Sequence, residues 1–420
     1  MSLYVPLLRR LSLPCLLPLV ACAASGPTAM PDTAEAINRY RKGMLFIQAA
    51  PGATVRVEQT RHEFWFGAAL ASQAFNGWMP PADAARYREV FLANFNSAVT
   101  ESAVKWLSME PRQGKVDYAT VNAILDWTDR NRIPLRGHNI YWGIEKYVPD
   151  WLKAMDNTTL HRTLEARGRD IGRRYRGRFA EYDLNNEMIH GNYYADRLGA
   201  GITREMAGWV KQEDPDARLF LNDYDILTGQ RLDDYVSHIR DLLKQGVPIA
   251  GIGVQGHLHG ESFDRDALRH ALDELARFNL PIRVTEFNLP GQRSRFYDNP
   301  KAAPLTAAEE EAKARDITDY YRICFSHPAV AGILMWGFWE GANWIPASSL
   351  FRRDWSPTPA ALAYHDLIFK EWWTRWEGRA DAHGRCEVPA FFGTHLVSAG
   401  NKQVTVQLTK ASGQTMVNLR

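Results

Sequence analysis

Two glutamates, Glu187 and Glu286, stand at the ends of short apolar runs. "YDLNNE" ends at Glu187, and "IRVTEF" carries Glu286 one residue before its end. Two carboxyl groups that flank one bond suit glycoside hydrolysis, in which a protonated carboxyl donates to the leaving oxygen and an ionised one attacks the anomeric carbon or activates water. A lone glutamate at a strand end is about as often a structural ion pair. Two in matching positions favour the catalytic interpretation.

Polar or aromatic residues recur at the ends of nearly all apolar runs in the central part of the chain. They are Glu101, His138, Trp142, Asn186, Glu187, Asn222, Asp223, Gln255, His257, Glu286 and Trp336. The carboxyl ends of parallel strands meet at one rim of a barrel, and active sites of such folds lie at that rim. We therefore expect these side chains to line one cleft.

The apolar runs themselves predict the strands that position these residues. They span residues 65–70, 96–101, 135–142, 180–187, 218–223, 251–257, 282–287 and 332–338. Amphipathic stretches separate them, as in 264–279, where Leu268, Ala271, Leu272 and Leu275 have helical spacing. Such strand–helix units predict a (β/α)8 TIM barrel of the α/β class. A doubly wound open sheet is the alternative, but no glycine-rich dinucleotide loop follows any of these runs.

The two flanks of this region have a different pattern. Residues 35–62 contain strand-like runs around a "PGA" turn, and residues 377–420 alternate with period two, as in "VTVQLTK". We expect these two segments to pack together as a small accessory β-sandwich. Residues 63–376 then form the catalytic domain.

The N-terminus has the features of an export signal. Two arginines precede an uncharged apolar run that is too short to span a bilayer and stops at Cys22. Residues 1–22 resemble a bacterial lipoprotein signal peptide in which Cys22 is lipidated, with residues 23–34 as a tether. The prediction is an exported, membrane-anchored lipoprotein, periplasmic or on the cell surface, that touches the membrane only through this anchor. A soluble secreted protein is the alternative.

Composition narrows the possible partners and cofactors. Lys and Arg total 50 against 48 Asp and Glu, which gives no electrostatic reason to expect nucleic acid. No Cys/His cluster has metal-ligand spacing, so we expect no metal. Cys324 and Cys386 could pair in an oxidising compartment. Some of the 14 tryptophans are candidates for sugar-stacking platforms, although core packing explains any single one equally well.

The central region resembles glycoside hydrolase family 10, the family of endo-β-1,4-xylanases, over residues 64–376. The motifs that carry the resemblance occur in the family's order: "FNSAVTESAVKWLSMEPRQGKVDY", "RGHNIYW", "YDLNNE", "LNDYD", "GIGVQGH", "VTEFN" and "MWGFWEGANW". The resemblance implies a retaining endo-1,4-β-xylanase that acts on xylan-like polysaccharides or oligosaccharides without a metal or organic cofactor. We also expect a monomer.

The resemblance also implies roles for individual residues. Glu187 corresponds to the acid/base, Glu286 to the nucleophile and Asn186 to the residue that bonds the sugar's 2-hydroxyl. His257 corresponds to the partner of Glu286, with Gln255 orienting the same cleft. The remaining implied contacts are Lys105, His138 and Trp142 on the non-reducing side with Glu101 at their edge, and the walls Trp336 and Trp344.

Three positions depart from the family pattern. Ser102 stands where an asparagine normally contacts sugar, Gly143 replaces a histidine, and Asn288 replaces an acid. These changes leave open a hydrolase of another β-linked glycan or decorated oligosaccharide, or a barrel that only binds carbohydrate. Arg293 and Arg295, in the loop after the nucleophile strand, could reach an acidic sugar; a solvated loop is the simpler interpretation.

Overall fold

A computed structural model describes residues 33–299 and 301–420. The predicted signal peptide, Cys22 and most of the predicted tether lie outside these residues. Within them, no helix combines the length and apolar character needed to cross a membrane.

The described chain begins with helix α1 (Thr33–Arg41), followed by strands β1 (Lys42–Gln48) and β2 (Thr54–His62). We expected strands from residue 35, so the assignment of residues 35–41 was wrong. Helix α1 packs against the barrel because Ala36 and Ile37 bury one face. Arg41, at its end, donates to the backbone carbonyls of His327 at 2.6 Å and Val330 at 2.8 Å.

Parallel strands then form a closed barrel. They are β3 (Trp65–Leu70), β4 (Ser97–Thr100), β5 (Leu135–Gly137), β6 (Tyr141–Trp142), β7 (Glu181–Asn186), β8 (Leu219–Asp223), β9 (Ile249–Val254), β10 (Ile282–Phe287) and β11 (Val330–Met335). Their order is β5-β4-β3-β11-β10-β9-β8-β7-β6, and pairing of β5 with β7 closes the ring. Because β5 and β6 are two pieces of one interrupted strand, the nine segments fill eight positions. The predicted TIM barrel is confirmed.

The third barrel strand is broken, whereas we predicted one strand over residues 135–142. Residues 138–140 leave the strand, and the peptide bond between His138 and Asn139 is cis. The N–H of Ile140 donates to the carbonyl of Asp183 at 2.9 Å, which keeps the interruption joined to β7. The break places His138 inside the barrel mouth.

Helices cover the outside of the barrel. They are α2 (Pro81–Asn94), α3 (Trp106–Met109), α4 (Tyr118–Arg130), α5 (Asp150–Lys153), α6 (Asn157–Arg174), α7 (Tyr193–Leu198), α8 (Ile202–Glu213), α9 (Leu232–Lys244), α10 (Arg265–Ala276), α11 (Ala307–Ser326) and α12 (Pro359–Asp366). Helix α10 shows why they form: Asp264 caps its first N–H groups, and the apolar face predicted from the spacing is buried.

The C-terminal strands complete a two-sheet sandwich with β1 and β2. These strands are β12 (Arg375–Arg379), β13 (Arg385–Phe391), β14 (Gly393–Ala399), β15 (Lys402–Leu408) and β16 (Gln414–Asn418). One sheet has the order β13-β1-β16 and the other β12-β2-β14-β15. Leu45, Val57, Val388 and Val397 belong to the core between them. Cys324 and Cys386 are both buried and free, with no disulfide between them.

Candidate active site

The barrel brings Glu187 and Glu286 to the same rim. Glu286 lies within β10, and Glu187 directly follows β7. Glu187 has a left-handed backbone conformation with φ of 62°, which is strained for a residue with a side chain. Its N–H donates to the carbonyl of Asn222 at 2.9 Å. The turn after it is held by the carboxylate of Asp223, which accepts from the N–H of Ile189 at 3.1 Å and lies 2.7 Å from Nδ1 of His190.

Glu286 is surrounded by donors. Asn222 Nδ2 donates to its Oε1 at 2.9 Å, and His257 Nε2 lies 3.1 Å from its Oε2. His138 Nδ1 is 3.9 Å from Oε1. Burial on its own disfavours the ionised carboxylate, but the positive fields of His138 and His257 outweigh it and lower the pKa of Glu286 to about 2. Glu286 is therefore ionised at neutral pH.

Glu187 has the opposite environment. Burial is the largest influence and raises its pKa to about 7, helped by the negative charge of Glu286. Gln255 Nε2 donates to its Oε1 at 2.7 Å and Trp142 Nε1 to its Oε2 at 2.9 Å, and both bonds oppose the rise. Two carboxyls whose environments push their pKa values apart can act as an acid and an anion at the same pH.

A chain of buried charges runs through the barrel interior to this pair. Arg283 Nη2 lies 3.0 Å from Glu181, whose other oxygen bonds Arg136. Arg136 also bonds Asp183, and Asp183 lies 2.8 Å from Nδ1 of His138. All five side chains are at most slightly exposed. The position of His138 beside Glu286 therefore depends on residues deep in the barrel.

A cleft of about 520 Å³ opens above the two glutamates. Nine of the predicted site residues line it: Lys105, His138, Trp142, Glu187, Gln255, His257, Glu286, Trp336 and Trp344. Asn186 and Glu101 do not. Asn186 is fully buried, and its Oδ1 accepts from Asn222 at 2.9 Å. Its Nδ2 is buried without a hydrogen-bond partner among the described residues.

Aromatic surfaces border the cleft, and several were missed in the sequence. The ring of Tyr147 stacks on Trp142 with centroids 3.7 Å apart, and His190 stacks on Tyr224 at 3.6 Å. Lys105 lies over the rings of Trp142 and Trp336, at 5.0 Å and 5.3 Å. Tyr147 ends a short helical turn, and Tyr224 comes one residue after β8. Residue type alone does not distinguish a tyrosine at such a position from one that packs in the core.

Ser102 and the two loop arginines, Arg293 and Arg295, all have partners within the protein. Ser102 Oγ lies 2.9 Å from Ser72 Oγ, so its short side chain is tied to a neighbouring loop. Arg293 pairs with Asp225 at 2.8 Å, and Arg295 pairs with Glu261 at 2.6 Å and Glu309 at 2.8 Å. Both arginines are thus neutralised by carboxylates of the protein.

Within residues 33–299 and 301–420, no group of three or more His, Cys, Asp or Glu side chains has an arrangement suited to a metal. The two glutamates of the cleft are instead hydrogen-bonded to neighbouring side chains. The fold and this cleft place the protein among (β/α)8-barrel proteins with a pair of buried carboxyls of opposed pKa.

Comparison with known proteins identifies the family. The sequence model for glycosyl hydrolase family 10 matches residues 57–367. The chain belongs to this family, which confirms the resemblance drawn from its motifs.

Curated relatives include endo-1,4-beta-xylanase 1 of Arabidopsis thaliana, 33% identical over 82% of this chain and 34% of the relative. Another is anti-sigma-I factor RsgI6 of Acetivibrio thermocellus, 32% identical over 92% of this chain and 49% of the relative. The chain therefore spans half or less of the length of these two relatives.

Solved structures share the barrel. Native xylanase 10B from Thermotoga maritima superposes with a TM-score of 0.63 at 24% identity, over 74% of this chain and 96% of that one. Xylanase 10B from Thermotoga petrophila RKU-1, solved in complex with xylobiose, gives a TM-score of 0.64 at 24% identity, over 74% of this chain and 95% of that one. At this identity the likeness is one of fold.

Proposed function

We propose that the protein is a retaining endo-1,4-β-xylanase in which Glu187 is the acid/base and Glu286 the nucleophile. The observation that carries this proposal is the opposed pKa shift of the two glutamates in one cleft, to about 7 for Glu187 and about 2 for Glu286. Near pH 5 the first is protonated and the second ionised, which is the state that glycoside cleavage requires.

In the first step of the proposed reaction, the carboxylate of Glu286 attacks the anomeric carbon. The glycosidic C–O bond breaks as Glu187 gives its proton to the leaving oxygen, and a glycosyl ester forms on Glu286. In the second step the carboxylate of Glu187 takes a proton from water. The water oxygen attacks the anomeric carbon, and Glu286 leaves as a carboxylate with net retention.

The surrounding residues support each step. Asn222 and His257 bond the two oxygens of Glu286 and hold it in place. Gln255 and Trp142 bond the two oxygens of Glu187. The family resemblance assigns Asn186 to the sugar's 2-hydroxyl, and Trp336 and Trp344 line the cleft where they would form walls around the reacting sugar. Fixed partners of this kind reduce reorganisation during reaction.

The test measures release of reducing ends from glucuronoxylan, arabinoxylan, cellulose and mixed-linkage glucan. Cleavage of the xylans by the native protein, lost in Glu286→Ala and Glu187→Ala, is expected. Proton NMR of the first products should show the β-anomer before mutarotation. Release of the α-anomer first would contradict the retaining mechanism, and inactivity on both xylans would contradict the proposed substrate.

Hydrolysis of another β-linked glycan remains the second candidate. The observation that favours it is Ser102, whose hydroxyl is tied to Ser72 and has less reach than the asparagine usual at this position. The same assay separates the two functions, because this candidate predicts cleavage of cellulose or mixed-linkage glucan without cleavage of xylan.

We further propose that the protein is anchored to a membrane by a lipid on Cys22. The support is the sequence around this residue, an apolar run that ends in "LVAC". In a bacterial host, labelled palmitate should be incorporated into the native protein and not into Cys22→Ser. Equal labelling of both would refute the anchor, and release of unlabelled native protein into the medium would favour soluble secretion.

A further inference from the structure

Lys146 is an exposed residue of a short turn at the mouth of the cleft. It lies in the short helical turn Glu145–Tyr147 that follows β6, and it lines the cleft together with Glu187. The N–H of Tyr147 donates to the carbonyl of Ile144 at 2.8 Å, which closes the turn. The ring of Tyr147 also stacks on Trp142, whose indole N–H donates to Glu187. The turn therefore packs against the side of the cleft that holds Glu187.

The ammonium of Lys146 has no carboxylate partner in the part of the chain that the structure describes. Its Nζ lies 4.6 Å from the ring centroid of Tyr147. The arginines that the sequence offered for this role, Arg293 and Arg295, are both paired with acids. The other lysine of the cleft, Lys105, lies over two tryptophan rings.

The ammonium of Lys146 and the phenol hydroxyls near it are suited to bind a negatively charged sugar. Contact with Tyr147 raises the pKa of Lys146, and Glu187 and Tyr297 add to this effect. Tyr147 and Tyr297 bring phenol hydroxyls, which can donate to or accept from sugar hydroxyls. An ammonium has three donors, which an anionic oxygen accepts more strongly than a neutral one.

We propose that Lys146 binds the carboxylate of a uronosyl substituent on a glycan chain held along the Glu187 side of the cleft. The inference rests on the proposed xylanase function and adds to it a preference for acid-decorated chains over neutral ones. Neutral pentosyl branches offer no charge to this lysine. The ion pair forms at an exposed rim, so it contributes selectivity rather than a large share of affinity.

The experiment compares two substrates of the same shape. One is a xylo-oligosaccharide with a single uronosyl branch, and the other is the same compound after reduction of its carboxyl to a neutral alcohol. The native chain, Lys146→Met, Lys146→Arg and Lys115→Met are assayed on both. Lys115 is an exposed lysine outside the cleft lining, so its variant controls for the loss of one positive charge.

The native chain should cleave the acidic substrate with a kcat/KM about two- to fivefold above that of the neutral one, as expected for an exposed ion pair. The ratio should fall to about one in Lys146→Met and persist in Lys146→Arg and Lys115→Met. It should also shrink in high salt, because exposed charges are screened.

Two outcomes would overturn the proposal in distinguishable ways. A native ratio of one, or a ratio that survives in Lys146→Met, would refute the role of Lys146 while leaving xylan cleavage intact. If the native chain cleaves neither substrate, the xylanase function itself is refuted, and the inference with it.

Discussion

Nδ1 of His257 lies 2.8 Å from Oδ1 of Asn288, and the same oxygen accepts from the indole N–H of Trp344 at 3.0 Å. The amide nitrogen of Asn288 donates to the carbonyl of Trp336 at 3.2 Å, which fixes which end of the amide faces the imidazole. His257 must therefore donate through Nδ1. Its Nε2 lies 3.1 Å from Oε2 of Glu286, so the imidazole links Asn288 to Glu286.

Replacing Asn288 should weaken the contacts that hold Glu286, the proposed nucleophile. In Asn288→Leu both His257 and Trp344 lose their acceptor, and we expect kcat/KM to fall about tenfold, the equivalent of one hydrogen bond to a charged group. The acidic limb of the pH–rate profile should move to higher pH, since His257 then stabilises ionised Glu286 less. Asn288→Asp, which keeps an oxygen for both donors, is the control. An unaltered profile in Asn288→Leu would show that His257 needs no orientation by this residue.

The pH dependence of activity follows from the two glutamates. The proposed mechanism requires Glu187 protonated and Glu286 ionised, so kcat/KM should fall above about pH 7 and below about pH 2. In Gln255→Leu the ionised form of Glu187 loses a hydrogen bond, and the alkaline limb should rise by about one pH unit. Gln403→Leu, at an exposed position of the sandwich, should leave both limbs in place. A fall of the limb in Gln255→Leu would contradict the assignment of that limb to Glu187.

Glu187 should also make stability depend on pH. Its pKa is raised in the folded state, so the native protein binds this proton more tightly than the unfolded chain does. The associated stability is present below the unfolded pKa of about 4.5 and is lost as pH rises to about 7. We expect the free energy of unfolding of the native protein to fall by roughly 2–3 kcal/mol across this window relative to Glu187→Gln.

Urea denaturation at pH 4.5 and pH 8 measures this difference. Glu387→Gln, at an exposed position in the sandwich, is the matched control and should follow the native protein. If Glu187→Gln also follows the native protein at both pH values, burial does not raise the pKa of Glu187 in the folded state.

The buried charge chain should be costly to break. Arg136 is fully buried between Glu181 and Asp183, so Arg136→Met leaves two carboxylates without their shared partner. We expect the free energy of unfolding to fall by about 3–5 kcal/mol. Arg56→Met removes an exposed ion pair with Glu377 at 2.9 Å and should cost at most about 1 kcal/mol. Similar costs for both variants would mean that the interior network does not stabilise the barrel.

The strand pattern was readable from the sequence because it is local. Apolar runs of strand length ending in polar residues predicted the barrel, and the alternating flanks predicted the sandwich, as the structure has them. The failures also have local causes. Helix α1 has only nine residues and buries few apolar side chains, so its helical spacing is weak. At the break between β5 and β6, the N–H of Ile140 bonds the carbonyl of Asp183 on a neighbouring strand, a contact that residue types along one segment do not specify.

Residue types within local segments were enough to predict the family, the barrel and the position of Glu187 and Glu286 at strand ends, because each motif is contiguous along the chain. The acid–base properties of the two glutamates depend on contacts that only the folded chain brings together. Opposite pKa shifts arise because burial acts on both glutamates, while donors from other strands converge differently on each. The same holds at the rim, where folding pairs Arg293 and Arg295 with distant acids and leaves Lys146 facing the cleft. Charge compensation depends on which side chains meet in space, and spacing along the chain does not specify that.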